Sequence, residues 1–140
     1  MKEFVLDTSV VLKWFSEFGE NDLDRSLQLR TALLNGSVFF VVPELLFYEL
    51  ANALRYNPRF SPKDVEGAVS SVLDMGLDVR TVEQETLGEA INLAFKYNST
   101  VYDTYFLALS RNEGKPLITA DYKFTEKLKG VKGIIKLSET

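Results

Sequence analysis

Residues 4–15 read FVLDTSVVLKWF, and this stretch predicts the first strand and the first helix of the fold. Its opening apolar run, residues 4–6, is typical of a short buried strand. Asp7 ends the run, and Ser9 is a suitable N-cap for a helix over residues 10–15. A buried strand that leads directly into a helix is the repeating unit of α/β proteins.

The rest of the chain repeats this alternation of strand and helix. Further strands are predicted where apolar residues run continuously, at residues 38–42, 77–82, 116–119 and 134–137. Helices are predicted between the strands at about residues 22–34, 43–56, 61–75, 83–97, 100–112 and 122–128. Pro43 is expected at the first position of the helix over residues 43–56. Strands separated by helices predict the α/β class, with a parallel sheet covered by helices on both faces. The length of 140 residues predicts a single domain over residues 1–140.

Aromatic residues supply much of the expected core. The chain is 46% hydrophobic and 12% aromatic, which is enough to bury a core. We expect the larger aromatic side chains to pack inside the protein rather than to stack on bases, namely Phe39, Phe40, Phe47, Phe95, Tyr97, Tyr102, Tyr105 and Phe106.

The chain contains neither histidine nor cysteine, and this excludes several kinds of chemistry. There can be no zinc site of the usual type, no cysteine nucleophile and no Ser-His-Asp triad. An enzyme with this composition must rely on carboxylates. Carboxylates alone cleave a substrate most readily by holding Mg²⁺ or Mn²⁺.

Charge and the N-terminal sequence bear on partners and location. A net charge of −4 argues against a protein that coats nucleic acid without regard to sequence, but a cation-loaded site still accepts a phosphate backbone. The lack of cysteine fits a reducing cytoplasm. The apolar run before Asp7 is too short for a signal peptide or a membrane span. We therefore expect a cytoplasmic protein with no membrane partner.

Four acidic residues fall where a parallel sheet brings distant segments together. Asp7 follows the first predicted strand, and Asp121 lies two residues past the fourth. Glu49 lies on the helix after the second strand, and Asp103 lies in the first turn of the helix that leads into the fourth strand. All four therefore fall at the carboxyl ends of the strands, where open parallel sheets bind ligands. Clustered carboxylates stay ionised only beside a cation, and oxygen ligands favour Mg²⁺ or Mn²⁺.

Each acid also has a plain structural interpretation that the sequence leaves open. Asp7 is a common type of strand-ending residue, Thr100-x-x-Asp103 resembles a capping box, and Asp121 is a suitable N-cap. Glu49 is the hardest to explain in this way. Its helical face is otherwise largely apolar, and a buried structural glutamate needs a cationic partner.

Further polar and basic residues near this edge could support such a site. Side chains that could hydrogen-bond to the acids, or equally cap a helix or a turn, are Thr8, Ser9, Asn52, Thr104 and Thr119. Basic residues on nearby segments could contact phosphates or simply be solvated. Our candidates for substrate binding among them are Lys13, Arg55 and Lys123, and Lys127 and Lys129 lie close by in the sequence.

Four stretches of the chain match one known family, in the family's own order. They are residues 4–15, then Pro43-Glu44-Leu45 with residues 49–54, then residues 102–109, and then residues 117–121. Together they resemble a PIN-domain nuclease, and most closely the VapC toxins of prokaryotic toxin–antitoxin pairs. The ordered set, which spans nearly the whole chain, is more specific than any one stretch.

The resemblance implies a three-layer α/β/α sandwich around a parallel sheet, usually in a homodimer. It also implies an Mg²⁺- or Mn²⁺-dependent endoribonuclease that cleaves structured cellular RNA and is neutralised by a cognate antitoxin. Asp7, Glu49, Asp103 and Asp121 look like the family's metal-binding and catalytic acids. Some members carry one more acid just past the last of these, where this chain has residues 122–124 without an acid.

Two other α/β classes with acidic sites fit this sequence less well. A receiver domain needs an acidic pair at the first strand, but Asp7 stands alone. A phosphatase of the haloacid dehalogenase type needs Asp-x-Asp-x-Thr there, and the second Asp is missing. Within the family, a nuclease of RNA processing and a catalytically silent protein-interaction module remain alternatives.

Overall fold

A five-stranded parallel sheet forms the centre of the computed structural model, which describes residues 2–16 and 20–140. The strand order is β3-β2-β1-β4-β5, and each neighbouring pair is parallel. The strands are β1 (Lys2–Leu6), β2 (Val38–Pro43), β3 (Asp78–Arg80), β4 (Leu117–Thr119) and β5 (Ile134–Lys136). This arrangement confirms the predicted α/β class.

Helices connect the strands and cover the sheet. They are α1 (Thr8–Lys13), α2 (Leu23–Leu34), α3 (Leu45–Arg55), α4 (Pro62–Leu73), α5 (Gln84–Tyr97), α6 (Val101–Glu113) and α7 (Tyr122–Lys127), followed by a 3₁₀ turn at Leu137–Glu139. Helix α6 packs against β1, β2 and β4 and pairs with α5, whereas α1 packs against α2 and α3, and α3 packs against α4. The three-layer α/β/α sandwich is therefore confirmed. In residues 2–16 and 20–140, no helix is both long enough and apolar enough to cross a membrane.

The core lies on both faces of β1 and β2 and under α6. Val5 and Leu6 at the centre of the sheet are fully buried, as is Phe40 on β2. Every residue of α6 from Thr104 to Ser110 is buried. Asp103 lies in the turn that immediately precedes this enclosed part of the helix.

Two predicted boundaries are wrong, and both lie beside the acids. Pro43 is the last residue of β2 rather than the first of a helix, because β3 extends the ladder past the end of β1. The backbone N–H of Glu44 still donates to the Arg80 carbonyl across 3.1 Å, and α3 begins only afterwards. Likewise, Asp7 and not Ser9 is the N-cap of α1. A tertiary hydrogen-bond ladder and a nearby capping carboxylate decide these boundaries.

The aromatic residues only partly follow the prediction of burial. Phe40, Tyr105 and Phe106 are buried, and Phe47 and Tyr97 are partly buried. By contrast, the exposed fraction is 43% for Phe39, 61% for Tyr102 and 84% for Phe95. The prediction of burial is wrong for these three residues. Phe39 on β2, Tyr102 on α6 and Phe95 on α5 each lie on a face that no neighbouring element in the described part of the chain covers.

Candidate functional site

The ends of β1 and β4 bring Asp7 and Asp121 to the same edge of the sheet. Leu6 is in register with Ile118, and the backbone N–H of Asp7 donates to the Ile118 carbonyl across 3.0 Å. Both strands stop within three residues of this point, and each is followed by a helix. The parallel pairing therefore places two acids, far apart in sequence, side by side at the carboxyl ends of the strands.

Three donors converge on one oxygen of Asp7. Its Oδ2 accepts hydrogen bonds from the Ser9 backbone N–H at 3.3 Å, from the Ser9 hydroxyl, and from the Thr119 hydroxyl at 3.0 Å. The same two hydroxyls accept from the chain after β4: Ser9 from the Ala120 N–H at 2.9 Å and Thr119 from the Asp121 N–H at 3.0 Å. Ser9 and Thr119 thus fix Asp7 relative to the backbone at Asp121. No hydrogen bond from the described residues reaches the other oxygen, Oδ1.

Glu49 approaches the same place from α3. Its Oε1 accepts a hydrogen bond of 2.7 Å from the hydroxyl of Thr8, which is itself buried in the first turn of α1. Glu49 lies on α3 between the buried residues Leu46 and Leu50. The packing of α3 against α1 therefore brings the carboxylate to Asp7.

Asp103 and Asp121 lie at helix starts, as their structural interpretation predicted. The Asp103 N–H donates to the Thr100 hydroxyl at 3.1 Å at the start of α6. The Oδ1 of Asp121 accepts from the Phe124 N–H at 3.1 Å and caps α7. Capping and site-forming roles are compatible here, because a helix start at this edge of the sheet points its first residues at the other acids.

All four acids line one open cavity of about 290 Å³. Its lining residues are Asp7, Thr8, Ser9, Glu49, Asn52, Ala53, Asp103 and Asp121. Among the ion pairs that join described residues within 4.0 Å, none includes any of the four acids. The cavity is therefore lined by carboxylates that no lysine or arginine of the described chain neutralises directly.

The electrostatics of the acids show that they interact. Burial raises the pKa of Asp7, hydrogen bonds from Ser9 and Thr119 lower it, and the nearby charge of Asp103 raises it. Burial raises the pKa of Glu49 to about 7. The Thr8 hydrogen bond opposes this rise, and the charges of Asp7 and Asp103 add to it. Burial and then the charge of Asp121 raise the pKa of Asp103. Each carboxylate makes the ionisation of another more costly, which is the situation that a bound cation relieves.

The donor set fits a hard divalent cation. It consists of carboxylate and hydroxyl oxygens, without nitrogen or sulfur, and it carries excess negative charge. As the side chains stand, no three acidic residues in the described ranges are close enough together to enclose a single ion.

The remaining predicted site residues divide into two groups. Thr8, Ser9 and Thr119 hydrogen-bond to the acids, and Asn52 lines the cavity. Thr104, in contrast, lies buried between α5 and α6, where its hydroxyl donates to the Ala90 carbonyl at 2.7 Å. The structure thus places Thr104 against α5 and not among the acids.

The three predicted substrate-binding residues have different surroundings. Lys13 pairs with Glu20 at 2.7 Å, and Arg55 lies over the ring of Tyr56 at 5.0 Å. Lys123 is exposed on α7, two residues after Asp121. Lys13 must leave an ion pair before it can bind a phosphate, whereas Lys123 is already open to solvent.

Lys127, which the sequence also placed among the basic residues near this edge, is brought to the acids by the structure. Its ammonium donates to the Asn98 carbonyl at 2.8 Å, in the turn that precedes α6, and its charge is among the causes that lower the pKa of Asp103. The sequence carried a signal for this residue. Lys127 follows Lys123 by four positions, so the two share one face of the predicted helix over residues 122–128.

Comparison with known proteins identifies the family. A family model for the PIN domain matches residues 4–129. The chain belongs to the PIN domain family. A comparison with curated proteins finds no significant match to this PIN domain.

Solved structures share the fold of this PIN domain at low sequence identity. A toxin–antitoxin complex from Klebsiella pneumoniae matches with a TM-score of 0.69 and 15% identity, over 98% of this chain and 99% of that one. The sarcin-ricin loop cleaving toxin VapC20 from Mycobacterium tuberculosis matches with a TM-score of 0.67 and 15% identity, over 89% and 95%. VapBC2 from Rickettsia felis, bound to a promoter DNA fragment, matches with a TM-score of 0.63 and 13% identity, over 96% of each chain. The shared fold thus extends over nearly the whole length of these proteins.

Proposed function

We propose that this PIN domain is a metal-dependent endoribonuclease that acts as the VapC-type toxin of a toxin–antitoxin pair. The observation that carries the proposal is the cavity at the strand ends, where four segments of the chain contribute carboxylates without direct cationic partners. Such an arrangement is costly as pure structure and useful as a cation site. Membership of the PIN domain family, whose known members include nucleases, supports the same conclusion.

Asp7, Glu49, Asp103 and Asp121 are the residues that would hold Mg²⁺ or Mn²⁺. When bound, such an ion lowers the pKa of a coordinated water and polarises a phosphate. The two hydroxyls on Asp7 Oδ2 orient this carboxylate and partly oppose the rise in its pKa that burial causes. Thr8 orients Glu49 through its Oε1 and opposes the rise in the pKa of Glu49 in the same way.

The general base would be a carboxylate that does not itself ligate the ion; Glu49 is the stronger candidate for this role, with Asp121 as the alternative. A pKa of about 7 lets its carboxylate accept a proton near neutral pH. The chain has no histidine, so it lacks the usual base for attack by the ribose 2′-hydroxyl. Attack by water on the phosphodiester is expected to leave a 5′-phosphate and a 3′-hydroxyl.

The test is cleavage of RNA by the variants Asp7→Asn and Asp103→Asn, assayed separately with Mn²⁺. Each variant is expected to lose at least about 100-fold in kcat, because each removes a charge that holds the ion. Asp74→Asn, at the exposed C-cap of α4, is the matched control and should cleave like the wild type. Undiminished cleavage by both site variants would refute the proposal.

A protein partner follows from the same proposal. Structural neighbours include a toxin–antitoxin complex, so we infer that a cognate antitoxin binds this chain and blocks the acid cavity. The RNA substrate is expected to be a structured cellular RNA, since one neighbour is described as cleaving the sarcin-ricin loop. We further infer a cytoplasmic location and a single folding unit over residues 1–140.

A homodimer is proposed through an apolar patch that the starts of α3 and α6 contribute to. This patch surrounds a cavity of about 390 Å³ whose lining includes Leu45, Tyr48, Val82, Leu87, Val101 and Tyr102. Tyr48, Val82 and Tyr102 are each more than 60% exposed. Arg80 lines the same cavity but is already paired with Asp78 and with Glu113 at 2.9 Å, so the exposed apolar side chains carry the case for a dimer. A two-fold axis would bury the same patch on both copies, which favours a second copy of the chain as the occupant.

A further inference from the structure

Positive charge in this acidic protein is concentrated directly after Asp121. Residues 122–136 contain five lysines and one glutamate, a net charge of +4, whereas the whole chain carries −4. The other residues together therefore carry −8. We call residues 122–136, which form α7, β5 and the turn between them, the basic segment. Its five lysines are Lys123, Lys127, Lys129, Lys132 and Lys136.

The fold attaches the basic segment to the acid cavity. Asp121 lines the cavity and caps α7, so the segment begins at the cavity itself. At its other end, β5 pairs with β4 at the edge of the sheet. The basic segment therefore runs from the cavity at Asp121 to the outermost strand of the sheet.

Lys127 is the lysine of this segment with a defined position. Its ammonium donates to the carbonyl of Asn98, which ends α5 in a left-handed conformation with φ of 51°. The next residues lead to Thr100 and Asp103 at the start of α6. Lys127 therefore links α7 to the α5–α6 turn, between the segments that carry Asp103 and Asp121.

The ammonium of Lys127 retains capacity for a ligand. Only one of its three donors is used by the Asn98 carbonyl, and none of the ion pairs found between described residues includes Lys127. The side chain is exposed, so its bond to a surface carbonyl contributes little to stability. A cation that is oriented but not neutralised, beside a site for a phosphodiester, suits an adjoining phosphate.

We propose that Lys127 binds an RNA backbone phosphate next to the scissile one, and that the other lysines of the basic segment guide the strand away from the cavity. The proposal rests on the nuclease function proposed above. Lys123 lies one helical turn before Lys127 on the same face, about 6 Å away, so the two can contact successive phosphates. The carboxylates beside Lys127 repel any anion unless a cation intervenes, and RNA is favoured over an acidic peptide because the cavity beside Lys127 is the proposed site for a phosphodiester.

The first experiment compares Lys127→Ala with Lys127→Arg and with the control Lys63→Ala, an exposed lysine on α4. Steady-state cleavage of a short RNA that the wild type cuts is measured with Mn²⁺. Lys127→Ala should raise KM about fivefold to tenfold and change kcat less than twofold, because a flanking phosphate is held equally in substrate and transition state. Lys127→Arg should restore KM. Equal KM values for Lys127→Ala and Lys63→Ala would overturn the proposal.

The second experiment measures binding without cleavage. In an Asp7→Asn background, the affinity for the same RNA is followed by fluorescence anisotropy over a range of salt concentrations. Losing one phosphate contact should reduce the slope of log affinity against log salt by about 0.7 for a single strand. An unchanged slope together with a lowered Tm would show that Lys127 only stabilises the turn at Asn98, and would overturn the proposal.

The two proposals fail in different ways. If the wild type does not cleave RNA but binds it with a salt slope that depends on Lys127, the nuclease function fails and the phosphate contact stands. If the wild type cleaves RNA and Lys127→Ala does not alter KM, the phosphate contact fails alone. If Lys127→Ala weakens binding of a polyglutamate peptide but not of RNA, the basic segment binds acidic peptides and the proposal is wrong.

Discussion

The hydroxyl of Thr119 donates a hydrogen bond of 3.0 Å to Oδ2 of Asp7, although the two residues are 112 positions apart. The same hydroxyl accepts from the backbone N–H of Asp121 at 3.0 Å. One buried side chain at the end of β4 therefore orients the acid that follows β1 and the backbone of the acid that follows β4. The geometry of the cavity depends on this hydroxyl as much as on the carboxylates.

Replacing Thr119 with valine should damage both stability and activity. Thr119→Val keeps the shape of the side chain but removes both hydrogen bonds. The loss should lower the free energy of unfolding by about 1–3 kcal/mol and leave Asp7 less well oriented. The kcat for RNA cleavage with Mn²⁺ is expected to fall by about 10-fold or more. Urea unfolding of the same variant measures the loss of stability. Thr104→Val is the matched control, since this fully buried hydroxyl bonds to Ala90 instead. The control should lose stability and keep its kcat; equal losses of kcat in both variants would contradict the assigned role.

Stability without metal should fall as the pH rises from about 5 to about 8. The pKa of Glu49 is raised from its ordinary value of 4.5 to about 7, so the folded protein keeps a proton that the unfolded chain releases. This stabilisation is complete at a pH below the pKa of Glu49 in the unfolded chain, and it is lost as the pH rises through the pKa of Glu49 in the folded protein. We expect a loss on the order of 1 kcal/mol, reduced by contact of the carboxyl with water.

Glu49→Gln tests this pH dependence, because the amide cannot titrate. Urea unfolding in EDTA at several pH values should show a flatter profile for Glu49→Gln than for the wild type. Glu66→Gln, an exposed change on α4, should keep the wild-type profile. Parallel profiles for all three proteins would show that Glu49 does not titrate in this range.

Divalent cations should stabilise the protein through the four acids. Mn²⁺ at about 100 times its dissociation constant adds about 2.7 kcal/mol, which corresponds to a rise in Tm of roughly 8 °C for a domain of this size. Asp103→Asn should show a much smaller rise at the same concentration, and Asp74→Asn should behave like the wild type. Differential scanning fluorimetry with and without EDTA measures these shifts. A catalytically silent interaction module predicts no rise in any of the three proteins.

A charge introduced into the apolar patch should separate the proposed dimer. Val82→Lys places an ammonium at a side chain that is 65% exposed at this patch. Light scattering after size exclusion should report the mass of two chains for the wild type and of one chain for the variant. Leu34→Lys, at a similarly exposed position on α2, should keep the wild-type mass. A wild-type protein with the mass of one chain would refute the dimer.

Much of the fold was predictable, because buried parallel strands are continuous apolar runs. Residues 38–42 and 117–119 show this clearly, and both form strands at the centre of the sheet. The end of β2 at Pro43 was not predictable from local preference. Proline is common at helix starts, but pairing with β3 extends the strand. Exposure of Phe95 was missed for a similar reason, since it depends on which helix faces a neighbour covers.

It was predictable that the four acids would meet at one edge of the sheet, but the hydrogen bonds that connect them were not predictable. An acid after a strand end is visible in one sequence, and so is the parallel topology that brings strand ends together. The hydrogen bond from the Ala120 N–H to the Ser9 hydroxyl joins residues 111 positions apart, and nothing local indicates it. Thr104 illustrates the reverse error. It neighbours Asp103 in sequence, yet its side chain faces α5.

The position of β1 has a consequence for synthesis. This strand is made first but lies between β2 and β4, so its second edge stays unpaired until the chain has been extended past residue 119. The anchors of Asp7 on the β4 side belong to that late portion. A chain that ends before residue 119 lacks both Thr119, which holds Asp7, and the Ala120 N–H, which holds Ser9, so the acid edge is assembled only when most of the protein has been made.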